Sequence, residues 1–189
     1  MIPSRQWAHR FMASRGMPAH IVRHSEAVRL VSILVARSLL EAGLEIDMQL
    51  VDRAALLHDI CKADTILHGG DHALMGRKLL EEQGYPRVGE VIGQHVRLES
   101  LEVNEAMVVN YSDKRVMHDR VVSLQKRFVD LMDRYGTDDQ RMHRIMTHYA
   151  EAREVERILV SSSGMDPALM ELLNLVAQDH AFDGGNGFL

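Results

Sequence analysis

Apolar residues recur along this chain at three- and four-residue spacing, and nowhere do they alternate with polar ones over a strand's length. That period belongs to helices with one buried face, so the chain is expected to be all-α, with no sheet of consequence. Ser4 can cap a short first helix ending near Arg15-Gly16, and Pro18 suits the first turn of a long helix reaching about Leu40 and closed by Gly43. In that long segment Ile21, Val28, Val31, Val35 and Leu39 share one face. Asp47 is positioned to cap a third helix running to His58; after the loop His68-Gly69-Gly70, Asp71 can cap a helix over 73–83. Pro86 opens a helix to about Val96, and Asn104 starts one through Val116. Further helices are expected over 121–135, 138–160 and 167–180, before a frayed tail around Asp183-Gly184-Gly185-Asn186-Gly187. No repeat and no linker divides the sequence. A single domain over 1–189 is expected, with a core over about 18–135 and a C-terminal helical extension over about 138–180.

Two short strings break the apolar pattern. In Ala54-Ala55-Leu56-Leu57-His58-Asp59-Ile60 an imidazole and a carboxylate sit where a helix should be ending inside the core. An unpaired buried carboxylate costs several kcal/mol, so Asp59 requires a cation, a metal or strong donors. Asp113 raises the same demand, because Ala106, Val109 and Val116 share its face. His24 continues the stripe of Val28, Val31 and Val35; His95 follows Val88, Val91 and Ile92; His72 sits above Met75 and Leu79. Taken singly, each histidine can be a core imidazole bonded to a carbonyl. Together with the two aspartates they place metal-ligating groups on five separate segments, all where apolar residues belong.

Imidazole and carboxylate ligands suit Fe, Mn, Co, Ni or Zn rather than Ca or Mg. Six candidate ligands (His24, His58, Asp59, His72, His95 and Asp113) exceed the needs of one ion with an open position, so two ions bridged by Asp59 are expected. Lys62, three residues beyond Asp59, can reach a phosphate oxygen or developing charge, or can equally be a solvated lysine at a helix end. Asp71 can orient the neighbouring His72 ring. Arg97, Arg115 and His20 are candidate substrate contacts, and His68 precedes His72. His118-Asp119 repeats the dipeptide, but at the exit of the Asp113 helix beside Arg120 it reads as unrelated to the site, as does Asp179-His180.

Composition narrows the function. Of 189 residues 46% are hydrophobic and 26% charged, and the net charge of −5 leaves no broad basic track for long nucleic acids. The one cysteine, Cys61, precludes an internal disulfide and fits a reducing compartment. The start of the chain lacks the apolar segment of a secretory signal, and the apolar run from Val28 to Leu40 is interrupted by Arg29, Ser32, Arg37 and Ser38, so no membrane span is expected. Cytoplasmic residence follows, and a homo-oligomer is compatible with the sequence.

The order His24, His58-Asp59, Asp113 resembles the HD superfamily of metal-dependent phosphohydrolases. Within it, His58-Asp59-Ile60-Cys61-Lys62 is similar to the H-D-I-G-K form, with Cys61 where that form has Gly. His72 and His95 match the extra histidines of its two-metal branches. The sequence looks closest to small bacterial HD proteins that include symmetrical dinucleoside-tetraphosphate hydrolases, over about 18–135; it departs from them in the basic pair Lys114-Arg115. The resemblance implies an HD-type bundle that hydrolyses a phosphate ester or phosphoanhydride of a small nucleotide or dinucleotide with a metal-bound hydroxide. Asp59 and Lys62 would act directly in catalysis. Di-iron oxygenases on the same scaffold, a single-metal nucleotidase using His24, His58, Asp59 and Asp113, and a non-catalytic nucleotide sensor are the rival readings.

Overall fold

Side-chain caps fix most helix starts. In the computed structural model, which describes residues 1–174, Asp47 accepts the main-chain N–H groups of Gln49 and Leu50, Asp71 those of Ala73 and Leu74, and Asn104 that of Met107. Each carboxylate or amide satisfies donors that a helix end would otherwise leave open. The elements are α1 (Arg5–Ser14), α2 (Ala19–Glu41), α3 (Met48–Leu57), α4 (Lys62–His68), α5 (His72–Glu82), α6 (Pro86–Ile92) and α7 (Glu105–Lys114). A two-residue hairpin, β1 (Val116–Met117) and β2 (Arg120–Val121), follows. Then come α8 (Leu124–Tyr135), α9 (Asp139–Ser163) and a 3₁₀ turn, Pro167–Leu172. The expected fold class, all-α with additional C-terminal helices, is the observed one.

Helix α2 is the axis of the bundle. Its buried face carries Ile21, His24, Val28, Val31, Val35 and Leu39, and it packs on α3, α7, α9 and the hairpin. Helix α3 is buried almost all round, with Leu50, Val51, Ala54, Ala55, Leu56 and Leu57 inside, so the two residues that follow it are delivered into the core. Helices α5 and α6 pair closely, as do α8 and α9. Gly89 permits the first pairing: a Cβ there would lie 2.7 Å from the main-chain oxygen of Arg77.

Several boundaries differ from the sequence reading. Pro18 is the cap of α2 rather than a first-turn residue. Helix α6 stops at Ile92, so His95 lies in the turn beyond it and not on its last turn. Helix α4 was not anticipated at all, because it buries none of its residues and shows no apolar stripe. The hairpin interrupts what reads as helix from Asn104 through Val116. The helix expected over 167–180 begins as a 3₁₀ turn; its end, Asp179-His180 and the tail at Asp183–Gly187 lie outside the described residues. No helix among the described residues is long and apolar enough to cross a membrane.

Candidate metal centre

Three of the four imidazoles of the site are held from behind by main-chain carbonyls. His58, the C-cap of α3, donates Nδ1–H to the Ala55 carbonyl at 2.7 Å, and His95 donates Nδ1–H to the Ile92 carbonyl at 2.7 Å. His24 on α2 donates Nδ1–H to the carbonyl of His118, again at 2.7 Å. A neutral ring that donates through Nδ1 keeps a lone pair on Nε2, the form a metal binds. The loop carrying His95 is pinned in turn, since its carbonyl accepts from Asn110 Nδ2 at 3.0 Å and from Lys114 Nζ at 3.2 Å.

The Nε2 atoms converge on two carboxylates. Asp59 follows His58 in the turn between α3 and α4, and Asp113 lies on the last turn of α7. Oδ2 of Asp59 lies 3.4 Å from His58 Nε2 and 3.8 Å from His24 Nε2. Its other oxygen, Oδ1, lies 3.4 Å from His72 Nε2 and 3.6 Å from His95 Nε2. Asp113 Oδ1 stands 3.0 Å from His24 Nε2 and 3.5 Å from His58 Nε2. His72 and His95 bring their own Nε2 atoms to 3.0 Å. All six sequence-predicted ligands therefore meet in one place, although they come from α2, the α3–α4 turn, α5, the turn after α6, and α7.

These residues fit a divalent metal. His58 Nε2 and Asp59 Oδ1 are buried with no hydrogen-bond partner. Leaving such atoms unsatisfied costs about 1–3 kcal/mol each, and a cation between them and their neighbours removes that cost. The ligand atoms of His24, His58 and Asp113 all lie within 4.8 Å of one another, as do those of His58, Asp59 and His95. Electrostatics point the same way. Burial alone would lower the pKa of His58, but Asp59 and Asp113 outweigh it and push it up to about 10. Burial favours the protonated form of Asp59, yet His58, His72 and His95 hold it well below the usual carboxylate range. Burial keeps His95 below the ordinary histidine value, hence neutral. The centre attracts positive charge, and a metal would displace the His58 proton.

Lys62 begins α4 and extends its Nζ to 2.7 Å from Asp59 Oδ2. It also lines a cleft of about 480 Å³ that opens from the centre, bounded further by His20, Ile21, Arg23, Ile66, Arg127 and Tyr135. Cys61, where the similar H-D-I-G-K form has Gly, sits at φ −104° and ψ 6°, a conformation that does not require glycine. His20 lines the cleft as expected.

Three expectations are corrected. Arg115 is fully buried and faces away from the cleft: it donates to the Val122 and Pro167 carbonyls, to the Tyr111 hydroxyl and to Glu156. Its place in the basic pair Lys114-Arg115 concealed a helix-locking role. Arg97 is exposed and lines a different depression, with Glu99, Leu101 and Glu151, because the loop turns outward after His95. Asp71 caps α5, and both of its hydrogen bonds go to main-chain N–H groups rather than to an imidazole. His118-Asp119, set aside in the sequence, borders the cleft and supplies the carbonyl behind His24. The cleft residues Arg23, Arg127 and Arg134 were missed. For Arg127 the signal existed, since it interrupts the face shared by Leu124 and Leu131 on α8.

Residues 21–138 match the HD domain family. The match covers more than half of the chain, and the chain belongs to that family. It is also 35% identical, over 66 residues, to the uncharacterized protein MJ0778 of Methanocaldococcus jannaschii. That stretch is 35% of this chain and 38% of the relative, so the chain spans well under half of the relative's length. No solved structure matches. HD domains are generally metal-dependent hydrolases, and the buried His/Asp cluster is a group of side chains that could hold a metal.

Proposed function

We propose that the protein hydrolyses a phosphate ester or phosphoanhydride in a small nucleotide or dinucleotide, with two divalent transition-metal ions. The observation that supports two ions is the division of labour at Asp59. Oδ2 faces His24 and His58, which also approach Asp113, whereas Oδ1 faces His72 and His95. One carboxylate presenting its two oxygens to two histidine pairs suits a bridge. Fe, Mn, Co, Ni and Zn all accept such ligands.

Bound metal supplies Lewis acidity, lowering the pKa of water and neutralising phosphate oxygens. The chain's own residues do the rest. His24, His58 and Asp113 hold one side, and His72 and His95 the other. Carbonyls of Ala55, Ile92 and His118 fix the ring orientations. Lys62 sits where its ammonium can turn from Asp59 toward a phosphoryl oxygen and stabilise charge as the bond to the leaving group breaks. A cleft of about 480 Å³ is of the size that encloses small ligands, and its apolar wall of Ile21, Ile66 and Leu131 offers a surface for an organic group. The acidic net charge argues for small phosphorylated substrates over long nucleic acids, and a cytoplasmic setting accords with this reading.

The test is metal analysis of protein purified without chelator, followed by a panel of nucleotides and dinucleotides. Two ions per chain and phosphate release support the reading. Oxygen consumption without phosphate release would move it to the oxygenase class, and ligand binding without turnover to a sensor.

A further inference from the structure

Of the four lysine and arginine side chains that line the cleft, three hydrogen-bond to a carboxylate: Lys62 to Asp59, Arg23 to Asp119 and Arg134 to Asp130. Arg127 is the exception. Its guanidinium makes no hydrogen bond among the described residues, although the side chain is only 18% exposed. Its nearest acidic oxygen, Asp130 Oδ2 at 3.5 Å, is the atom already taken by Arg134. None of its nitrogens is among the buried atoms without a partner, so the fork keeps contact with water and can exchange that water for the oxygens of a ligand, which a guanidinium locked by protein acceptors cannot do. Lys114, the neighbouring cation, shows the contrast: its Nζ reaches the carbonyls of His95, Val96 and Asn110.

Position gives the free fork a target. Arg127 borders the cleft that it shares with Asp59 and Lys62, and also a smaller apolar cavity of about 150 Å³ that it shares with Asp113, Phe128 and Ile145. Lys62 and Arg127 thus line one cleft beside the centre from separate elements, α4 and α8. A planar guanidinium offers paired donors that match two oxygens of one phosphoryl group, which a lysine cannot do.

Resting on the phosphohydrolase reading, we infer that Arg127 binds two non-bridging oxygens of the substrate phosphate, opposite Lys62. The test uses the full-length, Mn²⁺-loaded protein and inorganic phosphate as the probe, with binding measured by calorimetry. Arg127→Met keeps the apolar stem and removes the fork. It is expected to retain the native metal content and thermal midpoint while binding phosphate about 10- to 100-fold more weakly, with Arg127→Lys in between. Native phosphate affinity in Arg127→Met, or a loss matched by loss of metal, overturns the inference and leaves the phosphohydrolase reading standing. A wild-type protein that carries metal but binds no phosphate overturns both. Should Arg127→Met not fold, Arg127→Lys decides: weaker binding supports the fork, native binding overturns it.

Discussion

His24 and His118 lie 94 residues apart, and the Nδ1–H of the first donates to the main-chain carbonyl of the second at 2.7 Å. The hairpin β1–β2 therefore orients the His24 ring on α2. His118 occupies the left-handed region at φ 58°, which turns its carbonyl toward the core while its side chain stays outside. Glycine adopts that backbone at lower cost. His118→Gly is expected to keep full metal content and to change stability by less than about 1 kcal/mol. Metal analysis showing a lost ion would make the His118 ring itself a ligand.

Asp59→Asn preserves volume but removes the charge shared by four imidazoles and Lys62. Metal content should drop below one ion per chain, measured by plasma emission after gel filtration, because an amide is a weak ligand for these ions. Retention of the native content would exclude the bridge.

The double variant His72→Ala, His95→Ala separates one ion from two. It should lower metal content by about one per chain while His24, His58, Asp59 and Asp113 keep the other. An unchanged count would favour the single-metal nucleotidase.

Lys62→Met is expected to leave metal content intact and to slow turnover about 100-fold, the usual loss for one preorganised charge-stabilising donor. Steady-state kinetics on the best substrate of the panel measure it, and a native rate would reduce Lys62 to a partner of Asp59.

Arg115→Met should destabilise the protein by about 3 kcal/mol, the lower end for breaking a buried pair, because Glu156 retains some contact with water. Denaturant unfolding reads this loss, and KM should not change, since Arg115 does not reach the cleft.

The convergence of the six candidate ligands was legible because chemistry interrupted periodicity: an imidazole at 24 or a carboxylate at 113 stands where the helical pattern calls for an apolar side chain. What supports those ligands was not legible. Carbonyls at Ala55, Ile92 and His118 carry no side-chain signature, and helix α4 buries nothing that spacing could reveal. Arg115 and Arg127 illustrate the same limit from opposite directions. Both directly follow a lysine in the sequence, and only the tertiary arrangement sends the first toward α9 and leaves the second beside the cleft.

Arg115 also bears on where this chain can be cut. The family match ends at residue 138, yet the guanidinium that terminates the Asp113 helix takes its acceptors from Glu156 and from the Pro167 carbonyl. A fragment trimmed to the matched segment would strand a permanent positive charge two residues from the Asp113 carboxylate, with water admitted to Tyr111 behind it. For expression, mutagenesis or grafting onto another scaffold, the smallest useful unit therefore extends through the 3₁₀ turn ending at Leu172.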